Sequence, residues 1–160
     1  MRKTIMTLPQ ILRRLPIVLR DQRGNALVEL AIGVTMCSTL ILGAAEFGWL
    51  AYQGIEVSDA ARAGVQYGAQ SRTHAADTAN VQTAATQDAP DVSGISATAT
   101  YFCQCANGGT STCAVTDCST SRIIEYVRVT TSATAKPLVT LPLLPKTYAL
   151  SGMAVMRVEQ

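Results

Sequence analysis

The chain has 160 residues, enough for about one domain, and it is apolar without being aromatic. Hydrophobic residues make up 48% and charged residues 15%, with only two Phe and one Trp, so a large aromatic core is excluded. The net charge of +2 is concentrated near the N-terminus, beside an apolar segment, which indicates membrane orientation more than nucleic-acid binding.

The first 24 residues form a basic leader. Its charged residues are Arg2, Lys3, Arg13, Arg14, Arg20, Asp21 and Arg23. Because Lys and Arg accumulate on the cytoplasmic side of a membrane segment, we predict a cytoplasmic N-terminus and an extracytoplasmic remainder beyond the span. The protein is then a single-pass membrane protein with an extracytoplasmic head.

An apolar segment follows the leader and carries one formal charge, Glu46, between Leu30 and Ile55. A helix over residues 26–45 would rise about 30 Å, enough to cross the bilayer core. Trp49 and Tyr52 come directly after Glu46, and such rings prefer the headgroup level. We therefore predict a transmembrane helix whose outer interface lies at Glu46, Trp49 and Tyr52.

Helical spacing of small and apolar residues continues beyond this span, and no proline occurs between Asn25 and Gln70. The pattern predicts one long helix over residues 25–70. Small residues along it, as a set, favour close packing against another helix; they are Gly33, Gly43, Gly48, Gly54, Ala60, Gly64 and Gly68.

The N-terminal segment has two possible fates besides removal of the basic leader alone. A secretory signal could be cut after the small residues Gly43-Ala44-Ala45, although apolar residues continue beyond that point. The segment could also remain an uncleaved anchor. A lipoprotein signal is disfavoured because Cys37 lies deep in the apolar run and follows a bulky Met36; we interpret Cys37 as a small apolar residue of the helix.

Three blocks of sequence carry a family resemblance: Arg23-Gly24-Asn25-Ala26-Leu27-Val28-Glu29-Leu30, then Gly43-Ala44-Ala45-Glu46-Phe47-Gly48, then residues 59–68 with the sequence DAARAGVQYG. In order and spacing they resemble the TadE-like minor pilins, or pseudopilins, of the Tad/Flp (type IVc) pilus system. The second half, a Cys-rich loop followed by residues 127–130 and Pro137-Leu138, is similar to that family as well.

The resemblance implies that a prepilin peptidase removes the leader between Gly24 and Asn25, which makes Glu29 the fifth residue of the mature chain. Glycine presents no side chain to a peptidase. A carboxylate deep in a membrane helix costs about 2.5–3.5 kcal/mol on insertion scales, so it needs a partner. In pilin-like assemblies that partner is the amino group of a neighbouring subunit; the alternative is that Glu29 reaches the headgroups.

Beyond residue 70 the sequence predicts a linker with a short helix, residues 71–94, and a β-rich head, residues 95–160. Thr73 is the candidate N-cap of the short helix, and Asp88-Ala89-Pro90 would end it. Predicted strands cover residues 95–103, 123–135 and 148–158. The proline-rich segment 136–146 is expected to be a loop or sheet edge. The predicted fold is α+β, with the helix packed against a small antiparallel sheet.

Cys103, Cys105, Cys113 and Cys118 form a C-x-C-x₇-C-x₄-C cluster around the loop 103–118. Outside the membrane four cysteines imply two disulfides, each worth about 2–4 kcal/mol. Three pairings exist, of which Cys103 with Cys105 is the most strained. Structural zinc is the alternative, although the C-x-C spacing is unusual for it.

No catalytic constellation, cofactor motif or metal site is predicted. His74 lies in a polar stretch and is interpreted as a solvated residue, and Asp59 with Arg62 as a solvated ion pair. The leading function is a minor pilin-like structural component that primes, supports or tips a fibre. Implied partners are the prepilin peptidase, the major Flp pilin, a second minor pilin, the inner-membrane assembly platform and lipid. The alternative is an anchored or secreted adhesin that enters no fibre.

Overall fold

The computed structural model describes residues 24–140 and 145–159, so the predicted leader lies outside the described residues except for Gly24. Within these residues three helices come first: α1 (Asn25–Ala69), α2 (Arg72–Ala76) and α3 (Thr78–Asp88). Four strands follow: β1 (Ser96–Cys105), β2 (Thr110–Ser111), β3 (Ile123–Ala135) and β4 (Tyr148–Arg157). This confirms the predicted α+β class.

The chain divides into two compact units, Met1–Ala45 and Glu46–Gln160. In the first unit the described residues belong to the start of α1, and their side chains are almost all exposed. Among the described residues α1 is the one helix long and apolar enough to cross a membrane. An apolar helix without cover in its own unit is suited to lipid or to a neighbouring helix.

In the second unit the remainder of α1 packs against the sheet. Its buried residues recur at three- and four-residue spacing, as expected of one helix face: Gln53, Val57, Ala60, Ala61, Gly64, Val65, Gly68 and Ala69. The core beneath this face contains only small side chains. Its largest fully buried members are valines and Thr131, as the scarcity of Phe and Trp predicts.

The sheet is antiparallel throughout, with the order β2-β1-β3-β4. Strand β3 lies between β1 and β4, and its residues are alternately buried and exposed from Glu125 to Ala135. That period of two places one face on α1 and α3 and leaves the other uncovered within the described residues. Strand β2 was not predicted, because two residues after a glycine turn carry no alternation signal.

The small residues of α1 do not form a single packing surface. Gly64 and Gly68 are used inside the head: a Cβ at Gly64 would come 2.9 Å from Ala85 Cβ, and one at Gly68 would come 3.1 Å from Val127 Cγ1. The glycines nearer the N-terminus have no heavy atom within 4 Å of that position; they are Gly33, Gly43, Gly48 and Gly54. Gly64 and Gly68 therefore do pack closely against another helix, the short α3, and against strand β3. For the four glycines nearer the N-terminus, packing against another helix stays a prediction.

The linker also differs from prediction, because two short helices replace one. Ser71, not Thr73, caps α2: its Oγ accepts the N–H of His74 at 3.2 Å. Asp77 then caps α3 by accepting the N–H of Asn80 at 3.1 Å. Adjacent Ser, Thr and Asp residues all favour N-cap positions, so composition alone did not choose between them. The predicted end at Asp88 is confirmed.

Candidate functional site

The predicted cleavage site coincides with the beginning of α1. Asn25 is the first residue of the helix, and the carbonyl of Gly24 accepts the first helical hydrogen bond from the N–H of Val28 at 3.3 Å. Gly24 is exposed, and no heavy atom lies within 4 Å of the place its Cβ would occupy. Within the described residues, nothing covers the Gly24-Asn25 peptide bond, and cleavage there stays a prediction.

Glu29 lies one turn into α1 and is exposed. It shares one helix face with the small residues Ala26, Gly33 and Cys37, which alternate there with larger aliphatic residues. The small residues leave room for a second helix to approach near the Glu29 carboxylate. No hydrogen-bond or ion-pair partner for Glu29 is found within the described residues, so its predicted assembly role stays a prediction.

Glu46, Trp49 and Tyr52 also remain predicted interface residues, but the structure gives each of them specific partners. The backbone N–H of Leu138 lies 3.2 Å and 3.0 Å from the two carboxylate oxygens of Glu46, and the N–H of Val139 donates to one of them at 3.2 Å. Trp49 Nε1 donates to the carbonyl of Lys136 at 3.3 Å. The ring centroids of Trp49 and Tyr52 are 6.0 Å apart. Sequence reasoning missed Leu138 and Val139, because backbone donors leave no residue-type signal.

The cysteine cluster forms the two predicted disulfides, Cys103 to Cys113 and Cys105 to Cys118. All four sulfurs are consumed, so none is left as a thiolate for zinc. The pairing agrees with the expectation that Cys103 and Cys105 are not bonded to each other. Cys37 remains a free, exposed thiol on α1.

Asp117 organises the loop between these cysteines. Its Oδ2 accepts the N–H of Thr112 at 2.6 Å, the hydroxyl of Thr112 at 2.7 Å and the hydroxyl of Ser111 at 3.2 Å. These donors favour the carboxylate, and the hydrogen bonds from Thr112 above all lower the pKa of Asp117. The sequence offered a weak signal for this contact, since Asp near Ser and Thr in a loop often bonds to backbone.

A second polar cluster, not predicted, joins the linker to the sheet. Arg72 Nε lies 3.0 Å from Glu125 Oε1, and the Glu125 side chain is only 9% exposed. Burial, followed by the nearby Glu125 carboxylate, raises the pKa of Tyr101. His74, interpreted from sequence as solvated, is half-buried instead, with its ring centroid 4.7 Å from that of Tyr67. The solvated pair Asp59 and Arg62 is confirmed at 3.0 Å.

Comparison with known proteins identifies one family. The family model described as TadE-like protein matches residues 24–66, which run from the predicted cleavage site through most of α1. The match covers about a quarter of the chain. Over that segment the match confirms the resemblance read from the sequence blocks. No curated protein and no solved structure is detectably similar to the chain.

Proposed function

From the TadE-like segment at residues 24–66, we propose that this chain is a minor pilin-like component of Tad pilus assembly. A prepilin peptidase cuts between Gly24 and Asn25, and the mature protein enters the base, shaft or tip of a fibre through α1. The role is structural and not enzymatic. Its proposed partners are other pilin-like subunits and the inner-membrane assembly platform.

One observation carries the proposal: the helix begins at the residue that cleavage would expose. Cutting after Gly24 removes the carbonyl that accepts the N–H of Val28 and leaves a free amine at Asn25, the first helical residue. The positive end of the helix dipole then lies beside a new positive charge, which favours a nearby carboxylate. Glu29 of a neighbouring subunit can supply that carboxylate across the small-residue face of α1.

The first residue of the mature chain is the most direct test. Intact mass spectrometry of protein extracted from membranes distinguishes Met1, Asn25 and Glu46 as first residue. Asn25 is expected. A chain beginning at Glu46 would replace the proposal with a secreted head, and an uncut chain would replace it with a simple anchor. Replacing Gly24 with a bulky residue, Gly24→Leu, should block processing and leave Met1.

Charge at position 29 tests the assembly step separately. Glu29→Lys should abolish fibre formation while the chain is still processed and retained in the membrane, because the amine of a neighbour loses its partner. Asp59→Ala is the matched control, since it removes a helical carboxylate whose ion pair with Arg62 is exposed. If Glu29→Lys left fibres intact, the anchored adhesin would become the better interpretation.

A further inference from the structure

The segment 136–140, which follows β3, is hydrogen-bonded to α1 through backbone groups of the segment. Glu46 accepts the N–H groups of Leu138 and Val139, and Trp49 donates to the carbonyl of Lys136. Pro137, between them, has no N–H to satisfy. The side chains point the other way, with Leu138 58% exposed and Val139 42% exposed.

In water this arrangement is not required, because water can satisfy the backbone groups of an exposed loop and solvates apolar side chains poorly. Close to the hydrocarbon of a bilayer, backbone groups without water need protein partners and apolar side chains are stabilised by lipid. Pairing the backbone inward while presenting Leu138 and Val139 outward meets both requirements.

The position along α1 agrees with that environment. Glu46 is the first formal charge after the uncharged run of residues 30–45, so it marks where the apolar part of the helix ends. Phe47, 77% exposed, and the stacked pair Trp49 and Tyr52 lie within the next two turns. Such rings favour the headgroup level, and Lys136 can extend its ammonium to the phosphates.

We propose that segment 136–140 is a lipid-contacting element that inserts Leu138 and Val139 into the interfacial region of the bilayer that α1 spans. Glu46 holds the segment there and has its own charge satisfied by the two N–H groups. The partner is phospholipid. The proposal rests on the membrane location of α1 that the proposed function includes, and it requires no fibre.

Site-specific fluorescence in a defined bilayer tests the proposal. In the full chain carrying Cys37→Ser, Leu138→Cys is labelled with an NBD dye and reconstituted into phosphatidylcholine–phosphatidylglycerol nanodiscs. Val115→Cys is the matched control, because Val115 is apolar, 91% exposed and located in the disulfide loop. We expect a blue-shifted emission at position 138 and a loss of its intensity when lipids with headgroup-region nitroxides are included, with neither effect at position 115.

The role of Glu46 is tested in the same assay. Adding Glu46→Ala should shift the emission at position 138 to the red and remove the lipid quenching. Glu46→Gln keeps an acceptor oxygen, so part of the lipid quenching should remain. Equal behaviour at positions 138 and 115 would overturn the proposal. A blue shift without lipid quenching would overturn it too, in favour of a protein contact.

The nanodisc assay uses the purified protein without other pilus components, so its result does not depend on fibre assembly. The two proposals can therefore be overturned independently. Lipid quenching at position 138 together with normal fibres in Glu29→Lys cells would leave the lipid contact standing and overturn the pilin role. Correct processing and assembly without quenching would overturn the lipid contact alone.

Discussion

At the scale of single residues, the side chains that organise the head act mainly through backbone groups. Glu46 accepts from Leu138 and Val139, Asp117 accepts from Thr112, and the hydroxyl of Thr131 donates to the carbonyl of Val57 at 2.6 Å. Each contact joins segments that approach only after folding, except that of Asp117, whose partner is five residues away. Accordingly only the Asp117 contact had any signal in the sequence.

Asp117 provides a pH-dependent prediction. Its pKa is lowered in the fold, so its stabilising contribution is present above the ordinary aspartate value of about 3.9 and is lost as pH falls through the lowered value. The protection factor of the Thr112 amide, which corrects for the pH dependence of intrinsic exchange, should therefore fall in that acidic range. NMR titration of the Asp117 carboxyl carbon measures the pKa directly.

The matched variant for this prediction is Thr112→Val, which keeps the shape and the backbone N–H but removes the hydroxyl donor. It should return the pKa of Asp117 part of the way toward its ordinary value. An unchanged pKa would show that the Thr112 hydroxyl does not stabilise the carboxylate.

Of the ion pairs among the described residues, Arg72 with Glu125 is partly buried and Arg62 with Asp59 is exposed, so their loss should affect the free energy of unfolding differently. Arg72→Ala leaves the buried Glu125 carboxylate without its cation and should reduce the free energy of unfolding by about 1–3 kcal/mol. Arg62→Ala removes an exposed pair and should change it by less than about 0.5 kcal/mol. Guanidinium unfolding of the full chain in detergent, followed by Trp49 fluorescence, measures both. Equal losses would contradict the assigned burial.

At the scale of elements, the sheet can approach α1 closely because small residues lie at the crossing. Strand β4 contacts the helix at Gly152, where a Cβ would come 2.7 Å from the carbonyl oxygen of Val57 and 2.8 Å from Ser58 Cα. Backbone atoms cannot move aside as a flexible side chain can. Helix and strand can therefore pack at this short distance only because residue 152 has no Cβ.

Gly152→Ala should reduce the free energy of unfolding by about 1–3 kcal/mol, because the added methyl forces β4 away from α1. Gly54→Ala is the control on the same helix. Nothing lies within 4 Å of its Cβ position, so it should stabilise the helix by about 0.5–1 kcal/mol. The same guanidinium assay applies, and a neutral Gly152→Ala would show that the crossing is looser than described.

The sequence predicted the elements better than their contacts. Long apolar periodicity gave α1, and alternation of β-branched residues gave β3 with the bounds found, residues 123–135. It did not predict β2 or the division of the linker into α2 and α3. Those short elements are specified by caps and by pairing with a neighbour, and neither leaves a periodic pattern.

At the scale of the whole molecule, the second unit contains its own core and should fold alone. Both clusters of buried apolar side chains lie within residues 46–160, and α1 supplies Val57, Ala60, Ala61 and Val65 to them. We expect a fragment of residues 46–160, produced in an oxidising compartment, to unfold cooperatively with four protected cysteines.

A fragment of residues 70–160 is the control for this prediction. It keeps every strand and both disulfides but lacks the helix face that covers the sheet, so it should bind a hydrophobic dye and show no cooperative transition. Folding of this shorter fragment would mean that α1 is dispensable for the head. Thermal unfolding followed by circular dichroism distinguishes the two fragments.

Taken by itself, the sequence determined the properties that depend on neighbouring residues along the chain. These are the basic leader, the uncharged run before Glu46, the helical and strand periods, the four-cysteine cluster and the TadE-like blocks. Periodicity, charge and local spacing are written in consecutive residues, so they can be read without a fold.

Only the tertiary structure decided the pairing of the cysteines, the burial of Glu125 beside Arg72, the close approach at Gly152 and the capture of segment 136–140 by Glu46. These contacts join residues that are far apart in sequence, or choose among several local partners of the same type. Which groups meet depends on how α1 crosses the sheet. That crossing is set by packing between small side chains, and residue types alone do not encode its geometry.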